Sequence, residues 1–182
     1  LLQQIIIGLP ITSVKELNRY NDFTLQGEGS MQFHENHMHI FMNGRDYCQA
    51  VDDIKNGRES YVVRKNLDEY RKYGITWVRD GGDHYGTSVY ARSIAPEYGI
   101  VYRTPIFGIH KKGHYGGIVG RAFSDMQEYR SLVKEAVSQN ADFIKIMISG
   151  IMDFSGDGSL SEESLTDEEI EEMIHIAHEE GK

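Results

Sequence analysis

The sequence predicts an α/β fold in which four strands alternate with four helices. Short apolar segments alternate along the chain with amphipathic segments of helical period, an order typical of strand–helix units that build a parallel sheet. Two predicted helices are followed by glycines, Gly74 and Gly99, which are typical helix stops. With 182 residues, the chain is long enough to bury a sizeable core.

The predicted elements follow one another with short connections. The strands cover residues 31–40, 75–78, 100–106 and 143–148, and the first two helices cover 61–73 and 88–98. Ser124 with Gln127, and Thr166 with Glu169, have the spacing of capping boxes that open the third and fourth helices. We expect residues 42–60 to be irregular and residues 107–120 to form a Gly-rich loop. Residues 1–30 are predicted to be an N-terminal extension, and residues 31–182 the domain.

Composition excludes several classes of protein. A net charge of -9 argues against a nucleic-acid binder, which needs a basic surface. No apolar run approaches the ~20 residues of a membrane span, so no membrane partner is expected. The single cysteine, Cys48, cannot form an intramolecular disulfide or a cysteine-based zinc site, which fits a reducing, cytoplasmic location.

Two architectures accommodate four strand–helix units. One is an open, doubly wound sheet with helices on both faces. The other is half of a closed eight-stranded barrel, which needs about 250 residues in all. The alternation of strands and helices is compatible with both the open sheet and the half barrel.

His37 and His39 form the strongest candidate site. Histidines at i and i+2 on a strand point to the same side, with Cα atoms ~7 Å apart. Both imidazoles can then reach one divalent ion at ~2.1 Å from nitrogen. The alternative is a pair of polar residues on a half-exposed strand.

Lys145 is the second candidate, because apolar residues flank it within a predicted central strand. Burying an unpaired ammonium is costly, and desolvation favours the neutral amine. A neutral amine can react with carbon dioxide to give a carbamate, an anionic oxygen ligand able to bridge two metals. The alternative is a lysine that pairs with a buried acid such as Asp80.

Three segments together resemble the amidohydrolase superfamily, and its prolidase-like and imidazolonepropionase-related branch above all. They are His37-Met38-His39, the strand and turn at residues 74–82, and the strand at residues 141–147 that carries Lys145. The resemblance covers roughly residues 31–182. It implies a (β/α)8 TIM barrel of amidohydrolase type, of which this chain supplies about the first four strand–helix units.

The resemblance also implies a metal-dependent hydrolase. One or two metals, usually zinc, would activate a water that attacks an amide, dipeptide-like, cyclic amide or ester carbon in a small molecule. By this resemblance His37 and His39 bind metal, and carboxylated Lys145 bridges a binuclear metal centre. The family usually has Asp where this chain has Glu35. Glu35 and Asp80 are expected to orient the metal ligands.

Other expectations follow from the same resemblance. His84, His110 and His114 lie in loops expected to contact the substrate. Two further histidines and a general-base Asp are expected beyond residue 182. The 182-residue chain alone is therefore expected to be inactive, and to form a homo-oligomer or pair with the missing half of the barrel. The alternative is a catalytically inactive relative or fragment with a structural or assembly role.

Overall fold

The computed structural model describes residues 4–7, 32–151, 153, 155, 159–160 and 163–182, and these divide into two compact units. The N-terminal unit contains the described residues of Pro10–Asp80 and Tyr85–Thr104. The C-terminal unit contains those of Leu1–Leu9, Gly81–His84 and Pro105–Lys182. Most of the predicted N-terminal extension, residues 1–30, lies outside the described residues.

Strands and helices are numbered here in chain order over the described residues. The strands are β1 (Gln4–Ile7), β2 (Phe33–Met38), β3 (Ile75–Asp80), β4 (Val101–Arg103), β5 (Gly108–Lys111), β6 (Gly120–Phe123) and β7 (Ile144–Met147). The α-helices are α1 (Tyr47–Lys55), α2 (Glu59–Lys72), α3 (Thr87–Ile94), α4 (Met126–Ser138) and α5 (Asp167–Glu179). A 3-10 helix, Ala95–Tyr98, follows α3 directly.

The N-terminal unit is built on a parallel sheet in the order β2-β3-β4. Val63 and Leu67 lie one turn apart on α2 and are fully buried, as the predicted helical stripe requires. They belong to a core cluster that also includes Val78 of β3 and Ala91 of α3. Helices α2 and α3 thus share one core with the sheet.

The C-terminal unit is built on a sheet in the order β1-β7-β5-β6. Strands β5, β6 and β7 are parallel, whereas β1 runs antiparallel to β7. Helices α4 and α5 bury Tyr129 and Met173, and the Tyr129 hydroxyl donates to the Met173 carbonyl oxygen at 3.1 Å. This hydrogen bond satisfies a phenol that would otherwise be costly to bury.

The prediction of a (β/α)8 TIM barrel, with this chain supplying its first four units, is wrong. The described strands form two separate sheets, where the barrel requires consecutive strands of one sheet. The predicted strand over residues 100–106 ends at Arg103. Pro105 lacks an amide donor, and Ile106 has a φ of 72°, so a strand ladder does not continue through them.

Three local predictions also need correction. Residues 42–60 are not irregular, since they contain α1, whose N-cap Asp46 accepts from the Gln49 amide. The predicted Gly-rich loop contains β5, and its last residue opens β6. The N-cap of α4 is Asp125, one residue after Ser124, so the capping box predicted there is wrong. The capping box of Thr166 and Glu169 at the start of α5 is confirmed.

Candidate functional site

The structure brings the imidazoles of His37 and His39 together at the carboxyl end of β2. Their ring centroids lie 5.5 Å apart, with the ring planes inclined by 67°. His37 is exposed and His39 is half-buried. The carboxyl ends of parallel strands are where binding residues commonly collect, since loops there are free to vary.

A β-bulge between Glu35 and Met38 includes His37, the first histidine of the pair. Glu35 pairs with Val78 of β3, but Met38 pairs with Asp80, so β2 contains one more residue than β3 over this interval. A bulge of this kind bends the strand and changes the direction of its side chains. The spacing of the two imidazoles therefore depends on the bulge as well as on strand alternation.

Side chains satisfy the backbone groups around the bulge. The His37 amide donates to the Glu35 carboxylate at 2.9 Å, and Arg79 Nε donates to the Asn36 carbonyl at 3.0 Å. Beyond the pair, Asn66 Nδ2 donates to the Ile40 carbonyl at 2.6 Å. These contacts hold the backbone of the histidine segment from both sides.

Asp80 supplies a further contact from the end of β3. Its side chain is 0% exposed, and its Oδ2 accepts the Ile40 amide at 3.1 Å. The Tyr102 hydroxyl of β4 donates to the same oxygen. Burial, followed by the negative charges of Asp80 and Glu35, raises the pKa of Tyr70 above its usual range.

An aromatic cluster continues from His39. The His39 ring lies 6.4 Å from that of Phe41, which is fully buried. The Phe41 ring lies 6.5 Å from that of Tyr47 and 5.4 Å from that of Tyr85, both edge-on. Edge-to-face packing at these distances limits the orientations open to the rings. His39 therefore has a packed side, and His37 lies on the exposed side.

The donor chemistry of the pair fits part of a metal site. Two imidazole nitrogens suit zinc and other borderline divalent ions. Over the residues that the structure describes, no group of three or more His, Cys, Asp or Glu side chains is arranged to hold a metal. Within the described residues, the pair lacks the third protein ligand that a zinc site usually has.

Lys145 lies on β7 in the C-terminal unit. Its side chain is 1% exposed, and in the sheet register Lys145 is opposite Gly108 of β5 and Ile6 of β1. The expected burial of this lysine is confirmed. Because His37 and His39 belong to the N-terminal unit, the predicted joint site of the three residues stays a prediction.

The three histidines predicted to contact substrate all belong to the C-terminal unit. His110 lies on β5, is 7% exposed, and places Nδ1 3.0 Å from the Lys111 carbonyl. Burial lowers the pKa of His110. His114 is half-buried, and its Nδ1 has no hydrogen-bond partner among the described residues. His84 is exposed, with Nδ1 3.5 Å from the Gly120 carbonyl.

An ion pair near these histidines was not predicted from the sequence. Lys111, at the end of β5, donates to Glu169 in the first turn of α5. That hydrogen bond, followed by one from the Thr166 amide, lowers the pKa of Glu169. The predicted capping box already placed Glu169 at a helix start. Its pairing with Lys111 depends on which strand ends beside α5, and a local sequence pattern does not show this.

Comparison with known proteins shows a fold likeness alone. A solved structure, described as that of an uncharacterized protein, matches this chain with a TM-score of 0.56 and 16% sequence identity. The match covers 81% of this chain and 40% of that chain, so this chain spans well under half of that protein's length. No family model and no curated protein matches the chain. Over the described residues, no helix combines the length and apolar character needed to cross a membrane.

Proposed function

We propose that this chain is part of a metal-dependent hydrolase of the amidohydrolase superfamily. The observation that carries the proposal is the pair of imidazoles, His37 and His39, held 5.5 Å apart at the carboxyl end of a parallel strand. The substrate we propose is a small molecule with an amide, dipeptide-like, cyclic amide or ester bond. The sequence resemblance described above supports this substrate class.

The pair suits hydrolytic chemistry because two protein ligands leave coordination positions for water and substrate. A divalent ion bound there would polarise a carbonyl group and activate a water molecule. The protein's own contribution is to hold the two imidazoles in place. The side chains of Glu35, Arg79, Asp80 and Asn66 contribute to this by hydrogen bonds to the backbone of residues 36–40.

Carboxylation of Lys145 is a separate part of the proposal. Its support is the burial of a lysine within β7, between Ile144 and Ile146, which are also buried. A carbamate on this side chain would replace a cation by an oxygen ligand of opposite charge. Zinc, in one or two copies, is the metal we propose.

We also propose a cytoplasmic location. Cys48, the single cysteine, is exposed, and an exposed thiol is more compatible with a reducing compartment than with an oxidising one.

The test is the metal content of the natural gene product containing this chain, grown with zinc and bicarbonate and measured by elemental mass spectrometry. We expect at least one zinc per chain, and loss of that zinc in His37→Ala and His39→Ala. His175→Ala is the matched control, because His175 lies on the exposed face of α5 and pairs with Glu179. Hydrolysis of amide and ester panels should then be lost on chelation and restored by zinc.

The rival hypothesis is a catalytically inactive relative with a structural or assembly role. Its support is that the described residues contain no group of three metal-binding side chains. Wild-type protein without bound zinc, or zinc content that His37→Ala leaves unchanged, would favour this hypothesis and refute the hydrolase.

A further inference from the structure

A chain of hydrogen bonds leads from Tyr102 to the backbone that follows His39. The Tyr102 hydroxyl, on β4, donates to Oδ2 of Asp80, and the same oxygen accepts the Ile40 amide. Tyr102 and Asp80 are both buried, and Ile40 is 0% exposed. The three residues therefore form a buried connection across the sheet of the N-terminal unit.

This connection acts on the orientation of His39. The Ile40 amide belongs to the peptide plane that links His39 to Ile40, so fixing that amide fixes the ψ angle of His39. The Asn66 side chain holds the carbonyl of Ile40, on the other side of the same residue. His39 thus lies directly before a residue whose amide and carbonyl are both held by buried or half-buried side chains.

The carboxylate of Asp80 needs its own support to perform this role. A carboxylate removed from water keeps its position and charge only when donors satisfy its oxygens. The Tyr102 hydroxyl is one of these donors. Removing this hydroxyl takes away one of the donors that hold the oxygen to which Ile40 donates, so we expect the hydrogen bond to Ile40 to weaken.

We propose that Tyr102 is a positioning residue for the histidine pair, acting through Asp80 on His39. The inference rests on the proposed function, since it concerns how the two metal-binding imidazoles are held. Residues that orient metal ligands commonly change metal affinity by about 10–100-fold when mutated. For Tyr102→Phe we expect metal affinity to fall about tenfold.

The experiment compares wild type, Tyr102→Phe and Asp80→Asn, with Tyr98→Phe as the matched control. Tyr98 belongs to the same unit, and its hydroxyl accepts from Arg64 at 3.3 Å. Each protein is titrated with Co²⁺ alone, and the visible spectrum reports both affinity and ligand geometry. In the metal-free proteins, NMR follows the His39 ring signals and hydrogen exchange at the Ile40 amide. Circular dichroism verifies that each variant is folded.

The inference predicts weaker cobalt binding and an altered spectrum for Tyr102→Phe and Asp80→Asn, together with shifted His39 signals and faster Ile40 exchange. Tyr98→Phe should match wild type in all four. If wild type binds cobalt through His37 and His39 but Tyr102→Phe is indistinguishable from Tyr98→Phe, the inference is overturned and the proposed function stands.

If wild type binds no cobalt, the proposed function fails, and the metal-free measurements still decide the positioning role. Shifted His39 signals and faster Ile40 exchange in Tyr102→Phe would support that role. Unchanged signals and exchange would overturn it. Should Tyr102→Phe fail to fold, Asp80→Asn tests the contact with Ile40 through which Tyr102 would act, and unchanged His39 signals and Ile40 exchange in that variant would overturn the inference.

Discussion

Gly116 lies so close to His110 that a Cβ atom added to it would come within 2.8 Å of the His110 Cβ. The same added atom would lie 2.8 Å from Cγ of Met147. Gly116 also has a φ of 134°, a conformation that residues with a side chain rarely adopt. The connection between β5 and β6 thus packs directly on two strands of its own sheet.

Gly116→Ala is expected to destabilise the C-terminal unit strongly. The added methyl group forces His110 or Met147 to move, and overpacking of this kind costs about 1–3 kcal/mol in addition to backbone strain. Gly113→Ala is the matched control in the same loop, with a φ of 84° and no atom within 4 Å of the added Cβ. Chemical denaturation should show the larger loss for Gly116→Ala. Equal losses in the free energy of unfolding would mean that backbone strain alone causes them, and would refute an effect of the close packing.

The Lys111–Glu169 ion pair is expected to make stability depend on pH. The pKa of Glu169 is lower in the folded protein than its ordinary value of 4.5. The stabilisation is therefore complete above pH 4.5 and is lost as the pH falls through the lowered pKa. Glu169→Gln keeps an acceptor for the Thr166 amide but removes the ion pair, at a cost of about 0.5–1 kcal/mol at pH 7.

The matched control is Glu168→Gln, which removes an exposed charge from the same helical turn. Urea unfolding of the three proteins at pH 7 and at low pH measures the effect. We expect Glu169→Gln to differ from wild type at pH 7 and to approach it in acid. If Glu169→Gln is less stable than wild type by the same amount at both pH values, the ion pair is not the cause of the difference.

Asp125→Ala is expected to lower the free energy of unfolding by about 1 kcal/mol, because Asp125 caps α4. Its carboxylate accepts the Glu128 amide at 2.9 Å. Ser124→Ala should change stability by less than about 0.5 kcal/mol, since the contact seen at Ser124 uses its backbone amide. Thermal unfolding of both variants measures this difference. A larger loss of stability for Ser124→Ala than for Asp125→Ala would show that Ser124 is the N-cap.

The shift of this cap shows where sequence reasoning stops. Ser124 and Asp125 are both good N-cap residues, and the choice depends on which of them has extended backbone angles.

The strands β5 and β6 were missed for a different reason. Glycine is unfavourable in strands, yet a Cβ on Gly120 would lie 2.8 Å from the Gly108 carbonyl oxygen. Close packing requires these glycines, and their presence made the sequence pattern of both segments unlike that of a strand.

Lys145 should form a carbamate if its proposed role is correct. Carbon dioxide reacts with the neutral amine, the form that desolvation in general favours for a lysine. We expect protein grown with zinc and ¹³C-bicarbonate to show a carbamate carbon by NMR, and Lys145→Met to lose it. Lys134→Met, which changes an exposed lysine on α4, is the control. A signal that persists in Lys145→Met, or no signal in wild type, would contradict the carbamate.

The histidine pair was accessible to sequence reasoning because residues two apart on a regular strand lie on the same side. What holds the pair was not. The bulge depends on the register between β2 and β3, and the contributions of Arg79, Asn66 and Tyr102 depend on which elements pack beside β2. None of these follows from a local pattern.

The pairing of β1 with β7 bears on the order of events during synthesis. Residues Gln4–Ile7 leave the ribosome before their partners, Ile144–Met147, which lie about 140 residues further along the chain. At the usual rate of elongation this delay is on the order of ten seconds. Three consecutive isoleucines therefore remain without their strand partner until β7 has been translated. That interval is when this segment is most open to binding by a chaperone or by another nascent chain.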